Sequence, residues 1–480
     1  MWTLLAGAAV VAGVLAILFA VQPRQEAAPA VDTPGSVQVE LQAPALPLAD
    51  QEFNGSGYSL VTLGSGTFVA TDVQGRLLVM GRSAAEGVPR VGLWRFTVAG
   101  KLDPTFGAGG SALAPTASAA GTPVTGEFGQ GLLIESDGHF DVAGYSQDGE
   151  GRLHLALWRF SDSGRPDPTF GGRGVVSLTG SAGRGADDSG KGVALDARGR
   201  IVVVGSSWPN VATGPGSREY MTVWRFTPTG ELDRGFFGKG TLTVPDTRGN
   251  AVAVDREGRI LVAGATYGPT TQWTMAVWRF LPDGSADPEW NNGQVVTVRL
   301  PERDWLAASA AAVAVARDGR VVVLGSIYDR SHLSDLDDVG VQVAGIWRLN
   351  SDGTPDATFG QNRYGLVTLT HTAGGKSRRA GDHGRDLALD GQGRIVVAGF
   401  SRDARGIPLL TVWRRTASGA PDPAFGRIGA LVQRDPPGNV EDGPNALAHG
   451  VAVDALGRVV VTGTVRIGNK PYLALWRVKP

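Results

Sequence analysis

Carboxylates and imidazoles gather at two neighbouring places in the sequence. The first holds His332, Asp335, Asp337 and Asp338, and the second His371, Asp382 and His383. Such donors can ligate calcium or a transition metal. Their spacing matches no compact metal loop, so a solvated acidic loop is the competing reading. A second set is aromatic. Trp208, Trp273 and Trp305 stand apart from the recurring tryptophans described below, and exposed tryptophans stack on sugar rings or anchor peptides. In the competing reading they plug loops onto the fold, and Trp273 begins a strand. His139, His154 and His449 sit in no triad context, and neither a nucleophile elbow nor a phosphate-cradling glycine loop is present. Catalytic groups drawn from separate repeats would leave no local motif.

The elements that must position these residues are repeated. Trp94, Trp158, Trp224, Trp278, Trp347, Trp413 and Trp476 are each followed by Arg, at intervals of 54 to 69 residues. The first six are followed nine positions later by Asp, as in Asp103 and Asp167, and three further on by an aromatic, as in Phe106 and Trp290. Upstream of each Trp, Val/Ile/Leu runs flank a turn of the form Gly199-Arg200, with Gly138-His139 as the deviant copy. Apolar runs around a Gly/Asp turn read as hairpins. In the third unit this gives strands at about 191–196, 200–207, 220–226 and 240–244. Self-similarity at a long period, with four strands per unit, is the pattern of a β-propeller. The expected fold is all-β and seven-bladed. The last unit stops at Pro480, and Asp50 to Leu60 aligns without a gap with the corner and fourth strand that begin at Asp167. That alignment predicts closure of the seventh blade by an N-terminal strand.

The Gly-Arg hairpin, the Trp-Arg strand and the Asp-Pro-Thr-Phe-Gly corner resemble the delta-60 repeat family of exported bacterial β-propeller repeats. The resemblance spans residues 50 to 480. It implies the propeller fold and export, and it carries no defined activity.

Each recurring Arg follows a Trp on a strand whose two faces both pack on other blades. An isolated buried charge costs several kcal/mol, so each Arg needs a partner. The spacing offers the corner Asp, for example Asp167 or a neighbouring blade's equivalent for Arg159. Recurrence in every unit marks this pairing as structural. Lys plus Arg total 45 against 46 acidic residues, with none of the concentrated basic surface that nucleic acid requires. There is no Cys, hence no disulfide framework or thiol chemistry.

Residues 2–21 form an uncharged apolar stretch, long enough to span a bilayer as a helix. The chain is thus expected to divide into an anchor or cleaved signal (1–21), a flexible tether (22–49) and the propeller (50–480). The hairpins and corners share one face of the disc. The other face carries the loops of variable length, including Ser206–Arg218, Ser326–Gln342, Thr370–Gly384 and Arg434–Ala448. Function concentrates on such loops. The expectation is an extracytoplasmic, non-catalytic binding or scaffold module in the cell envelope. Membrane contact would run through residues 2–21, and the variable face would hold a protein or glycan ligand, with no nucleic acid partner. The alternative is a propeller hydrolase or lyase, with a metal or acidic site at the channel mouth.

Overall fold

The structure is a computed structural model that describes residues 38–39, 46–62, 64–83, 87–118, 123–209, 219–267, 273–297, 305–329, 341–360, 364–370, 372–374, 381–433, 446–467 and 470–480. Among these residues, no helix is long and apolar enough to cross a membrane. Residues 2–21 lie outside them.

The hairpin turns explain why the strands form where they do. In blade three Asp196 Oδ1 accepts from the Arg198 and Arg200 amides at 2.9 and 3.0 Å, while its Oδ2 takes Arg200 Nε at 2.7 Å. Gly199 supplies the positive φ of 73° that the turn requires. The strands so joined assemble into seven antiparallel sheets. Blade three runs Asp187–Leu195, Ile201–Trp208, Tyr220–Phe226 and Thr241–Pro245, in that spatial order. Its first strand starts earlier than the sequence pattern suggests, because Asp187 to Gly190 also pair. The seven first strands stand side by side in a ring, with blade seven's Ala446–Val453 against blade one's Gly64–Thr71. Tyr58–Val61 lies antiparallel to Lys470–Val478, with Ser59 opposite Leu475, and Gln38–Val39 adds a fifth strand beyond it.

The core lies between blades. Leu155, Leu157 and Phe170 of blade two pack with Ile201, Val203, Trp224 and Phe226 of blade three, and each of the other six seams has its own cluster. Second and third strands are almost entirely buried, whereas first strands are largely half-buried. Water therefore reaches the inner strands.

A guanidinium staple crosses each seam. Nε of Arg95, Arg225, Arg279, Arg348 and Arg414 meets Asp103, Asp233, Asp287, Asp356 and Asp422 at 2.6–2.8 Å. Arg477 meets Asp50 of the N-terminal segment at 2.8 Å. All seven guanidinium carbons, that of Arg159 included, sit 4.4–5.2 Å from the corner aromatic's ring centre, a cation–π geometry. One terminal nitrogen reaches forward to the next blade's turn, at the carbonyl four residues past its Trp: Asp162, Pro228, Pro282, Ser351, Ala417 and Val98. For Arg414 that place is held by Pro480, and both its terminal nitrogens lack a hydrogen-bond partner among the described residues.

Blade two corrects the expected pairing. Arg159 does not take Asp167; its Nε meets Asp141 at 3.0 Å, and a terminal nitrogen meets Glu135. Three replacements occur together here. His139 stands for the hairpin Arg, Glu135 for the turn Asp of most blades, and Asp141 for the apolar residue at the place of Leu78 or Val202. Without a hairpin Arg beside Asp167, the staple turns toward these two carboxylates.

Two predictions follow from the staple. Arg225→Ala removes the seam-crossing guanidinium and leaves Asp233 with Arg200 alone, at 3.1 Å, so it should lower stability by about 1–3 kcal/mol, seen as a melting point a few degrees down; an unchanged melt would reject the structural role. Burial pushes the Asp141 carboxyl up to about 7, against the pull of Arg159, and Glu135 on the same guanidinium adds to the rise. The folded chain then holds a proton that the unfolded chain, at about 4, releases. Asp141's contribution to stability is complete below the unfolded value and is lost as pH rises through about 7. Urea midpoints of the wild type should fall relative to Asp141→Asn between about pH 4 and 7, and parallel profiles would remove Asp141 from the account.

Candidate functional site

Every first strand carries a β-bulge at the same place, and the bulged residues are Thr67, Gln130, Lys191, Asn250, Ala311, Arg385 and His449. A bulge leaves one residue unpaired and re-aims its side chain. The cause is a glycine in each second strand. A Cβ on Gly205 would lie 1.9 Å from the carbonyl oxygen of Ser189, and the same holds for Gly264 against Arg248 and Gly399 against His383. Only glycine lets the bulged strand approach so closely. In all seven blades this glycine stands fourteen residues after the bulged one.

The ring these residues form is polar, partly cationic and holds no carboxylate. Lys191 Nζ donates to Asn250 Oδ1 at 3.1 Å, and Asn250 Nδ2 passes the chain on to Ser309 Oγ at 2.9 Å and the Ala310 carbonyl at 2.8 Å. Bulged side chains thus reach toward the following blade. Between blades three and four the cations are balanced by one carboxylate: Glu219 lies 3.6 Å from Lys191 Nζ and 3.2 Å from Arg248 Nε. Burial lowers the Lys191 ammonium, and Glu219 opposes that fall. Arg248 in turn stacks 3.7 Å above Trp273, whose other neighbour is Tyr267, edge-on at 5.4 Å.

The aromatic residues singled out from sequence fall on the variable face. Trp208 ends blade three's second strand and Trp273 opens blade four's third strand. Both are half-buried. Trp305 opens blade five's first strand, opposite Asp329. At the rim place held by Trp208, the other second strands carry Gln147, Tyr267, Tyr328, Arg402 and Arg466 in blades two and four to seven. The rim is therefore aromatic over blades three to five and basic over six and seven.

Of the candidate metal ligands, His332, Asp335, Asp337, Asp338 and His371 lie outside the described residues. His383 stacks on Phe400, ring centres 4.3 Å apart. Burial first, then Arg402 and Arg385, lower its imidazole to about 4. Asp382 is buried and accepts from the Thr372 amide and from the Thr372 and Ser401 hydroxyls, while Thr372 Oγ1 receives the Trp413 indole N–H at 2.8 Å. That network holds a blade tryptophan. Among the described residues, no group of three or more His, Asp or Glu is placed to hold a metal ion.

Four segments, residues 75–106, 135–170, 258–289 and 316–359, match the family model described as "Domain of unknown function (DUF5122) beta-propeller". The match supports a bacterial β-propeller repeat family. No curated protein matches the chain. Similar solved structures include a gluconolactonase from Xanthomonas campestris, at 14% identity, covering 92% of this chain and 97% of that one with a TM-score of 0.34. An ulvan lyase matches at 11% identity, over 72% of this chain and 79% of its own, with a TM-score of 0.43.

Glu219→Gln should leave Lys191 and Arg248 facing each other without a counter-charge. The expected cost is about 1–2 kcal/mol, modest because the groups are partly solvated. Urea unfolding checks it, and Trp273 emission should shift as Arg248 leaves its ring.

Proposed function

We propose that the chain is a non-catalytic ligand-binding propeller that works through its variable-loop face and the adjoining mouth of the ring. The observation that carries this reading is the composition of the bulge ring. Acid–base hydrolysis of a glycosidic bond draws on a pair of carboxylates, and metal-assisted chemistry needs a cluster of ligands. The seven bulged positions instead supply two amides, a hydroxyl, two cations, an imidazole and one methyl. Those groups recognise a ligand by hydrogen bonding and charge, and the aromatic rim above them offers stacking surface.

In this reading the N-terminal strand closes the ring, with Asp50 and Tyr58–Val61 completing blade seven. Residues 2–21 hold the exported chain at a membrane of the cell envelope, with 22–49 in part as a tether. The apolar stretch in the sequence supports that placement. The ligand is a protein or glycan of the envelope, and export is checked by fractionation.

Binding of the full chain to immobilised envelope proteins and polysaccharides tests the proposal. A double variant on the variable face, Trp208→Ala with Arg402→Ala, should weaken capture at least about tenfold, roughly 1.4 kcal/mol. Arg317→Ala, exposed on the hairpin face, should leave it intact. Equal losses in both would detach binding from the variable face, and turnover of a bound polysaccharide would favour the hydrolase or lyase alternative.

A further inference from the structure

The seam between blades six and seven holds positive charge that no carboxylate among the described residues pairs with. Arg385 is the bulged residue of blade six. It stands exposed toward the lumen, and among the described residues it has no carboxylate partner. Its guanidinium carbon lies 5.6 Å from the centre of the Phe400 ring, and that of Arg402 lies 5.5 Å from it. Arg402 spends one nitrogen on the Gly406 carbonyl at 2.9 Å and likewise meets no carboxylate among the described residues. His383 stacks on Phe400, and His449, the bulged residue of blade seven, lies near enough for Arg385 to act on its ring.

Both carboxylates on this strand are already engaged, Asp382 with the Thr372 and Ser401 hydroxyls. Asp386 accepts from the Leu387 amide and, across the seam, from the Val451 amide, both at 2.8 Å. Comparison with blades three and four shows that the lack of balance is particular to this seam. Two cations meet there as well, but Glu219 lies between them. Glu219 stands five residues before its blade's tryptophan. The same place in blade six is Pro408, opposite Arg402, which has no charge to give. Both guanidiniums border the Phe400 ring, and a bound anion would supply the counter-charge that neither has among the described residues.

We propose that this seam binds an oxyanion, a carboxylate, sulfate or phosphate group of the ligand, with Arg385 as its main contact and Arg402 flanking it. The proposal rests on the ligand-binding reading above and names the chemistry of one contact within it. A guanidinium suits the planar or tetrahedral oxygens of such a group through paired N–H donors. The two histidines report on occupancy. Burial, and then Arg385, lower the His449 imidazole to about 4, and His383 stands equally low with Arg402 and Arg385 as its charged neighbours. From blade six the groups facing this space are His383, Arg385 and Arg402, with Asp386 tied to backbone amides; from blade seven it is His449. An anion on Arg385 offsets the charge that depresses both rings.

The test uses the full chain with inorganic phosphate, sulfate and acetate, each against chloride at equal ionic strength. Melting is followed together with the ring C–H resonances of the histidines across pH. At least one oxyanion should raise the melting point and lift the His449 and His383 midpoints by about one unit. Phosphate and sulfate acting without acetate would mark a tetrahedral group, and acetate acting would mark a carboxylate; either supports the site. Arg385→Gln should abolish the response and Arg385→Lys keep part of it, while Arg317→Ala on the hairpin face leaves it unchanged. No response in the wild type, or an equal one in Arg385→Gln, overturns the site. Envelope ligand captured equally by wild type and Arg385→Gln would leave the binding reading standing and remove this contact from it.

Discussion

The architecture depends on a buried guanidinium that must be shared. Each third strand packs on both faces, so the Arg beside its tryptophan cannot reach bulk water. It satisfies its nitrogens three ways at once: a corner carboxylate in its own blade, an aromatic face, and a turn carbonyl of the next blade. A buried ion pair is by itself weak evidence of stability, since desolvation consumes much of its Coulombic gain. Its effect here is geometric. By fixing the distance from one blade's corner to the next blade's turn, it sets how adjacent sheets meet, and the apolar clusters then fill the seam so defined.

The staple also explains why blade two differs without falling apart. Losing the hairpin Arg at His139 leaves Asp167 with a more distant partner, an imidazole nitrogen at 4.0 Å. Arg159 is then held by Asp141 and Glu135 instead. Two acids on one guanidinium leave one negative charge in excess, and the buried Asp141 answers by keeping its proton to higher pH. One altered hairpin residue is thereby accommodated within a single blade.

Much of this was legible in the chain. The Trp-Arg strand, the aspartate nine residues on and the hairpin Gly-Arg placed four strands per unit and five of the Arg–Asp pairings, because those contacts lie within one short stretch; the sixth, Arg477 with Asp50, followed from the gapless alignment of Asp50 with Asp167. The lumen was less legible. Lys191, Asn250, Arg385 and His449 look like ordinary first-strand residues; the signal was the second-strand glycine, whose fixed offset marks a bulge only once close strand approach is considered. Asp382 read as a metal ligand for the opposite reason. Its partners, Thr372 and Ser401, are distant in sequence, so its structural duty was hidden. Trp273 was legible as a strand opener, but Arg248 covering its ring comes from another strand altogether.

Because six of the seven staples grip the following blade, tension in the ring is passed from seam to seam, and the ring is as strong as its least-tied joint. That joint is the one after blade six, where two nitrogens of Arg414 find no acceptor on the hairpin side. On the opposite side of the same seam stand Arg385 and Arg402, with no carboxylate partner among the described residues. Local opening of a fold draws on its least stabilised contacts, so breathing of this disc concentrates along a single radial line. Whatever settles the charge at its rim would act as a clasp on the whole annulus.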